Sequence, residues 1–177
     1  LVDRIVSEPL EPAGAVAEPY ALWAIEDAPN LTLPCTHPAI QVVPDLDRIE
    51  KLKLHILNLG HTYLVARWLA RGGERDRLVR DEIADAAIRA DLADLYEKEV
   101  LPTFLAAGYG DEAKDYVATT LERFANPFLV HRLSDIAQNH GEKTQRRIGA
   151  FIDWGRALGV TGGPPRLRRI VEEEART

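Results

Sequence analysis

The stretch Glu50 to Gly73, EKLKLHILNLGHTYLVARWLARGG, constrains this chain more than any other. Its apolar residues Leu52, Ile56, Leu59 and Tyr63, with Leu57, Leu64 and Trp68 on the adjoining edge, recur at three- and four-residue intervals. That period predicts a buried amphipathic helix. Pro44 and Asp45 suit its start, and Arg71 followed by Gly72 and Gly73 suits its end. Three polar residues, Lys53, Asn58 and His61, interrupt the apolar run. At roughly 100° per residue they fall within one arc of about 140°. A cation, an amide and an imidazole are costly to bury unpaired. The arc therefore faces satisfied partners or a pocket. Taken singly, such groups are more often hydrogen-bonded core or rim residues, and Lys53 has the length to reach solvent.

The rest of the chain divides at this helix. Leu1 to Val6 alternates apolar and charged residues, a strand signal. Pro9, Pro12 and Gly14 mark a turn or loop. Strands are predicted over 21–26 and 40–43, with a proline-rich loop between them. Residues 1–43 thus read as a strand and loop junction segment, and 44–177 as a helical domain. Within the latter, helices are predicted over Asp76–Val100, with Pro102 ending or kinking it, and over Asp111–Phe124, stopped by Asn126-Pro127. Two more follow over Leu129–Gln138 and Glu142–Leu158. Beyond the Gly162-Gly163-Pro164-Pro165 hinge, Arg166–Ala175 has its arginines ahead of its glutamates, the poorer order for a helix dipole. It reads as a frayed, solvated helix.

Composition excludes several classes. A chain of 177 residues, 46% hydrophobic and 28% charged, is ordinary globular protein of one domain or slightly more. The net charge of −6 with no dominant basic face argues against nucleic-acid binding. The single Cys35 forms no intramolecular disulfide and points to a reducing, cytoplasmic setting. No apolar run approaches the roughly 18 residues of a membrane span, and no signal peptide opens the chain. The sequence has no Met, so it reads as a trimmed piece of a longer polypeptide. His55 and His61 diverge by about 120° on a helix, which argues against a metal site.

The spacing Lys53-x4-Asn58-x2-His61 resembles the signature of the long-chain polyol dehydrogenase family. That family includes mannitol and mannitol-1-phosphate dehydrogenases and hexuronate reductases, and its helix reads close to KLxLLNxxH. The opening LVDRIV is similar to the family's VDRI segment at the junction of its two domains. EPYALWAIED resembles its EPxxxWVIED segment, and Arg123-Phe124-Ala125-Asn126-Pro127 its RFxNP motif. Lys143 matches the lysine that follows that Asn-Pro. Together these motifs cover most of residues 1–150, in family order.

The resemblance implies a mainly α fold, a helical domain like the C-terminal domain of 6-phosphogluconate dehydrogenase, with a short strand-containing N-terminal segment. It implies the substrate half of an oxidoreductase acting on a secondary alcohol of a polyol or sugar acid. NAD or NADP would be bound mainly by an N-terminal Rossmann-type domain, since no glycine fingerprint opens a βαβ unit here. Lys53 would be the base, Asn58 the donor to the developing oxyanion, and His61 the holder of a second hydroxyl or of Lys53. Arg123, Asn126, His131, Asn139 and Lys143 would bind substrate, with no metal. A free lysine, with a pKa of about 10.4, is mostly protonated at pH 7, so a lysine base needs desolvation or a cationic neighbour.

The chain departs from the mannitol type after RFxNP, with His131 in place of an aspartate and Asp135 in place of an arginine. The pattern His131, Ile136, Asn139, Lys143 is more similar to the tagaturonate (altronate) reductases. There Lys143, or alternatively Arg146 or Arg147, would meet the substrate carboxylate. The competing expectation is a non-enzymatic helical interaction domain built on the same fold.

Overall fold

A computed structural model describes residues 1–176. Its spine is the predicted central helix, built as α1 (Asp47–Leu52), a π-helical turn (Lys53–Asn58) and α2 (Leu59–Ala70). Ile56, Leu59, Leu64 and Val65 along it are fully buried. Gly72 and Gly73, at φ 99° and 63°, end it in the left-handed region that glycine adopts without cost.

Around this spine pack α3 (Val79–Ala84), α4 (Ala86–Leu95), a second π turn (Tyr96–Val100) and α5 (Leu101–Ala106). They are followed by α6 (Gly110–Phe124), α7 (Leu133–Ile136) and α8 (His140–Thr144). A third π turn (Gln145–Gly149), α9 (Ala150–Ala157) and α10 (Pro165–Glu174) complete the domain. One apolar core joins these helices, with Leu92, Leu95, Tyr96, Phe104, Leu133, Ile148 and Leu167 completely enclosed.

The N-terminal segment forms two small sheets. β1 (Val2–Asp3), β4 (Leu22–Glu26) and β5 (Ile40–Val43) make one, with β4 antiparallel to β1 and parallel to β5. The stretch expected as loop after Val6 is instead a hairpin of β2 (Val6–Leu10) and β3 (Gly14–Ala17). Its prolines and glycine sit in or beside the turn, where they break no interior ladder.

Four helix expectations need correction. The helix foreseen from Asp76 begins at Val79 and breaks at Asp85. That residue is extended (ψ 116°), and its carboxylate caps Ala87 and Ile88 at 2.8 and 3.3 Å. Pro102 does not end the helix, because the turn before it is widened: the Leu101 amide bonds to Tyr96 five residues back. The wide turn makes room for a ring that would press on the carbonyl four residues earlier. The helix predicted over Leu129–Gln138 shrinks to Leu133–Ile136. Residues before it are held extended against α3, with Val79 N donating to His131 O at 3.0 Å and Leu133 N to Arg77 O at 3.0 Å.

Finally, α10 is not a frayed, solvated helix. Leu167 and Ile170 are buried, and the Glu99 carboxylate accepts from the Arg166 and Leu167 amides (3.1 and 3.2 Å) and from Arg166 Nε (2.6 Å). A carboxylate from a neighbouring helix thus caps α10, which offsets the unfavourable charge order.

Candidate functional site

The π turn at Lys53–Asn58 decides where the polar trio points. Leu59 N donates to Leu54 O, an i→i+5 bond. Residues five apart stand about 140° apart on a regular helix; across such a wide turn they stack one above the other. Lys53 and Asn58 therefore share a face, and His61 follows one turn later. The widened turn also presents the Ile56 carbonyl to a side chain: buried Tyr96 Oη donates to it at 2.9 Å. Gly60 makes that approach possible, since a Cβ there would stand 2.0 Å from Tyr96 Oη.

A cavity of about 390 Å³ opens along this face. Lys53, Asn58 and His61 form its floor, Asp3 to Val6 one wall, and His131, Asp135, Lys143 and Arg147 the other. The structure thus brings together five of the eight residues singled out from sequence. Asn139 lines an adjoining hollow of about 290 Å³ that shares Asn58, Lys143 and Arg147 with the first. It takes a left-handed conformation (φ 55°) at the start of α8.

Two residues lie elsewhere. Arg123 is buried and wholly engaged: its Nη2 donates to Asp3 Oδ1 (2.9 Å) and Glu18 Oε1 (2.8 Å), and its Nε to Glu18 Oε2 (3.0 Å). Tyr20 covers the guanidinium at 4.1 Å. In place of the expected substrate contact, Arg123 clamps the N-terminal segment onto α6. Asn126 uses Oδ1 to accept from Phe128 N at 3.0 Å, which shapes the turn after α6.

Within the cavity, His61 is enclosed, its ring 4.3 Å from Phe124 and edge-on to His131 at 4.8 Å. Burial first, then the neighbouring His131 and Arg147, hold its pKa well below the ordinary value, so the ring is neutral. Its Nε2 is buried without a hydrogen-bond partner. An orphaned polar atom of this kind is a cost that a ligand hydroxyl removes. Burial also keeps His131 neutral, though Asp135 opposes the shift.

The amine of Lys53 donates to the Val2 carbonyl. Lys143 Nζ donates to Ile136 O at 2.7 Å, and burial followed by Arg147 lowers its pKa. With Asp3 committed to Arg123, the cavity's cations (Arg4, Lys53, Lys143, Arg147) outnumber its remaining acid, Asp135. His55, by contrast, points to the other side of the helix, against Phe151 and Trp154. Among the described residues no three His, Cys, Asp or Glu side chains are grouped as metal ligands.

The family model for the mannitol dehydrogenase C-terminal domain matches residues 45–161. The chain belongs to that family. D-mannonate oxidoreductase of Escherichia coli is 30% identical over 139 residues, covering 78% of this chain and 28% of that protein. Altronate oxidoreductase of Halalkalibacterium halodurans is 32% identical over 154 residues, covering 85% of this chain and 28% of that one. The chain spans less than a third of the length of each of these two relatives.

The fold is that of Pseudomonas fluorescens mannitol 2-dehydrogenase, solved with NAD and D-mannitol: TM-score 0.77, 22% identity, 99% of this chain and 37% of that one. A D-sorbitol dehydrogenase superposes similarly, at TM-score 0.76 and 24% identity over 99% of this chain and 39% of that one. The mainly α architecture with a short strand-containing N-terminal segment is therefore the mannitol dehydrogenase C-terminal fold.

Two features of the site escaped the sequence. One is the wall supplied by Asp3 to Val6, which tertiary contacts, the Arg123 to Asp3 ion pair among them, bring into place. The other is Arg147, singled out only as a substitute for Lys143. Its spacing of four from Lys143 puts both on one helical face, which was the available signal.

Proposed function

We propose that this chain is the substrate-binding half of an NAD- or NADP-dependent oxidoreductase that acts on a secondary alcohol of a polyol or sugar acid. The observation that carries the reading is the convergence of Lys53, Asn58 and His61 on one cavity. The sugar-acid side of the range is favoured by that cavity's excess of cations, and by relatives named for mannonate and altronate.

Lys53 takes the proton from the reacting hydroxyl as its carbon gives up a hydride. Its hydrogen bond to the Val2 carbonyl holds the amine at the cavity wall. Asn58 donates its amide hydrogens to the same oxygen, where negative charge develops. Neutral His61 offers its unpartnered Nε2 to a neighbouring hydroxyl, and His131, Lys143 and Asn139 fix the remainder of the chain. These side chains provide proton transfer and hydrogen bonds but no group that accepts a hydride. A dinucleotide supplies that acceptor, and its binding is assigned mainly to an N-terminal Rossmann-type domain. Residues 1–43 form the junction to that domain and residues 44–177 the substrate domain. A cytosolic setting suits the single, exposed Cys35, and no helix among the described residues is long and apolar enough to cross a membrane.

The test is a panel of polyols, aldonates and their keto forms with the intact protein, following NAD(P)H absorbance. Turnover on altronate or tagaturonate above that on mannitol or fructose is the expected result. Preference for the uncharged pair returns the assignment to a general polyol dehydrogenase. Absence of dinucleotide-linked turnover on every member overturns the reading.

A further inference from the structure

Arg147 is a cavity cation that, among the described residues, is held by neutral acceptors alone. Its Nη1 donates to Thr62 Oγ1 at 3.1 Å and to Asn58 O at 3.4 Å, both neutral acceptors. No carboxylate pairs with it among the described residues. Contrast Arg123 and Arg166, each matched to acids at 2.6–3.0 Å. A partly buried guanidinium without a counter-ion is unusual, because desolvating a charge is costly unless an opposite charge compensates.

The placement of this group is specific. Arg147 lies where the two hollows meet, with the reacting trio on one side and Asn139 and Arg146 on the other. Nη1 is tied to the central helix, so the Nε–Nη2 edge remains for a ligand. That edge is the geometry that takes a carboxylate through two parallel hydrogen bonds. Lys143, one turn earlier, differs in kind, since its ammonium is a point donor without the planar fork, and one of its hydrogens goes to the Ile136 carbonyl. The backbone of Arg147 is fixed in turn, for its carbonyl lies 3.1 Å from buried His55 Nδ1.

We infer that Arg147 is the specificity-determining residue of this site, seating the carboxylate of a sugar-acid substrate on its free edge while Asn58, which it touches, faces the reacting carbon. This deepens the proposed function and rests on it. The committed ligand class is a sugar acid with a terminal carboxylate, as opposed to a neutral polyol or a sugar phosphate.

The test compares wild type, Arg147→Met and Arg147→Lys in the intact protein. Steady-state kinetics with tagaturonate and with uncharged tagatose give the acid-to-ketose ratio of kcat/KM, and calorimetry gives affinities for altronate and the matching alditol. A lost charge-assisted contact predicts that Arg147→Met lowers the ratio roughly tenfold to a hundredfold, mostly through KM for the acid. Arg147→Lys, which keeps charge without the fork, falls between. Equal losses on acid and ketose overturn the carboxylate seat and leave the dehydrogenase reading standing. Altronate binding that depends on Arg147 without any turnover overturns the dehydrogenase reading and leaves the seat. Tighter handling of a ketose phosphate than of the acid, lost in Arg147→Met, overturns the choice of ligand class.

Discussion

His55 Nδ1 lies 3.1 Å from the backbone carbonyl oxygen of Arg147, and this contact joins two π turns. One turn carries Lys53 and Asn58; the other carries Arg147. A neutral imidazole donating to that carbonyl sets their spacing, so a histidine on the far side of the helix helps position the site without lining it.

Burial, opposed in part by the Arg147 hydrogen bond, pushes the His55 pKa down to about 4. Its folded pKa is thus below the unfolded value of about 6.5. Above that value neither state binds the proton and the stability is whole. As pH falls toward about 4 the unfolded state alone takes up the proton, and stability is lost. From this residue the loss is about 2 kcal/mol between pH 6.5 and 5, at 1.36 kcal/mol per unit. Buried His61 adds to it in the same direction. Urea unfolding at the two pH values checks this, with His55→Gln flattening the difference.

Arg123→Leu leaves Asp3 and Glu18 buried without a counter-charge. The expected loss is about 3–5 kcal/mol in unfolding free energy. Replacing all three residues by apolar ones of similar volume costs far less. Denaturant midpoints separate the outcomes, and a small loss in the single variant contradicts the clamp.

Gly60→Ala tests the approach of Tyr96 to the π turn. Alanine favours helix by about 1 kcal/mol over glycine, yet overpacking here is expected to cost about 1–3 kcal/mol net. In a Tyr96→Phe background the offending hydroxyl is gone, so the same substitution costs less. A double-mutant cycle with no coupling contradicts the contact.

Much of this was legible in the sequence because it rests on short-range rules. The period of Leu52 to Trp68 reveals the helix, and the Lys53, Asn58, His61 spacing marks the polar face that lines the cavity. The π turns were not legible: a regular helix spreads Lys53 and Asn58 apart, and the contacts that meet the wider turn come from Tyr96 and Arg147, far along the chain. The ion pairs of Arg123 were not legible because its carboxylate partners stand more than a hundred positions away. The last helix was misread because its cap, Glu99, belongs to another element. In each case the deciding partner is distant in sequence, where patterns carry no signal.

The most direct measurement is the turnover of the intact protein with altronate as substrate, wild type against Lys53→Ala, across pH and with added primary amine. A general base contributes about 10² to 10⁴ in rate. The account predicts a kcat loss in that range and partial recovery with the external amine. Near-normal turnover in Lys53→Ala, with the pH profile unchanged, would contradict it and pass the role to His61.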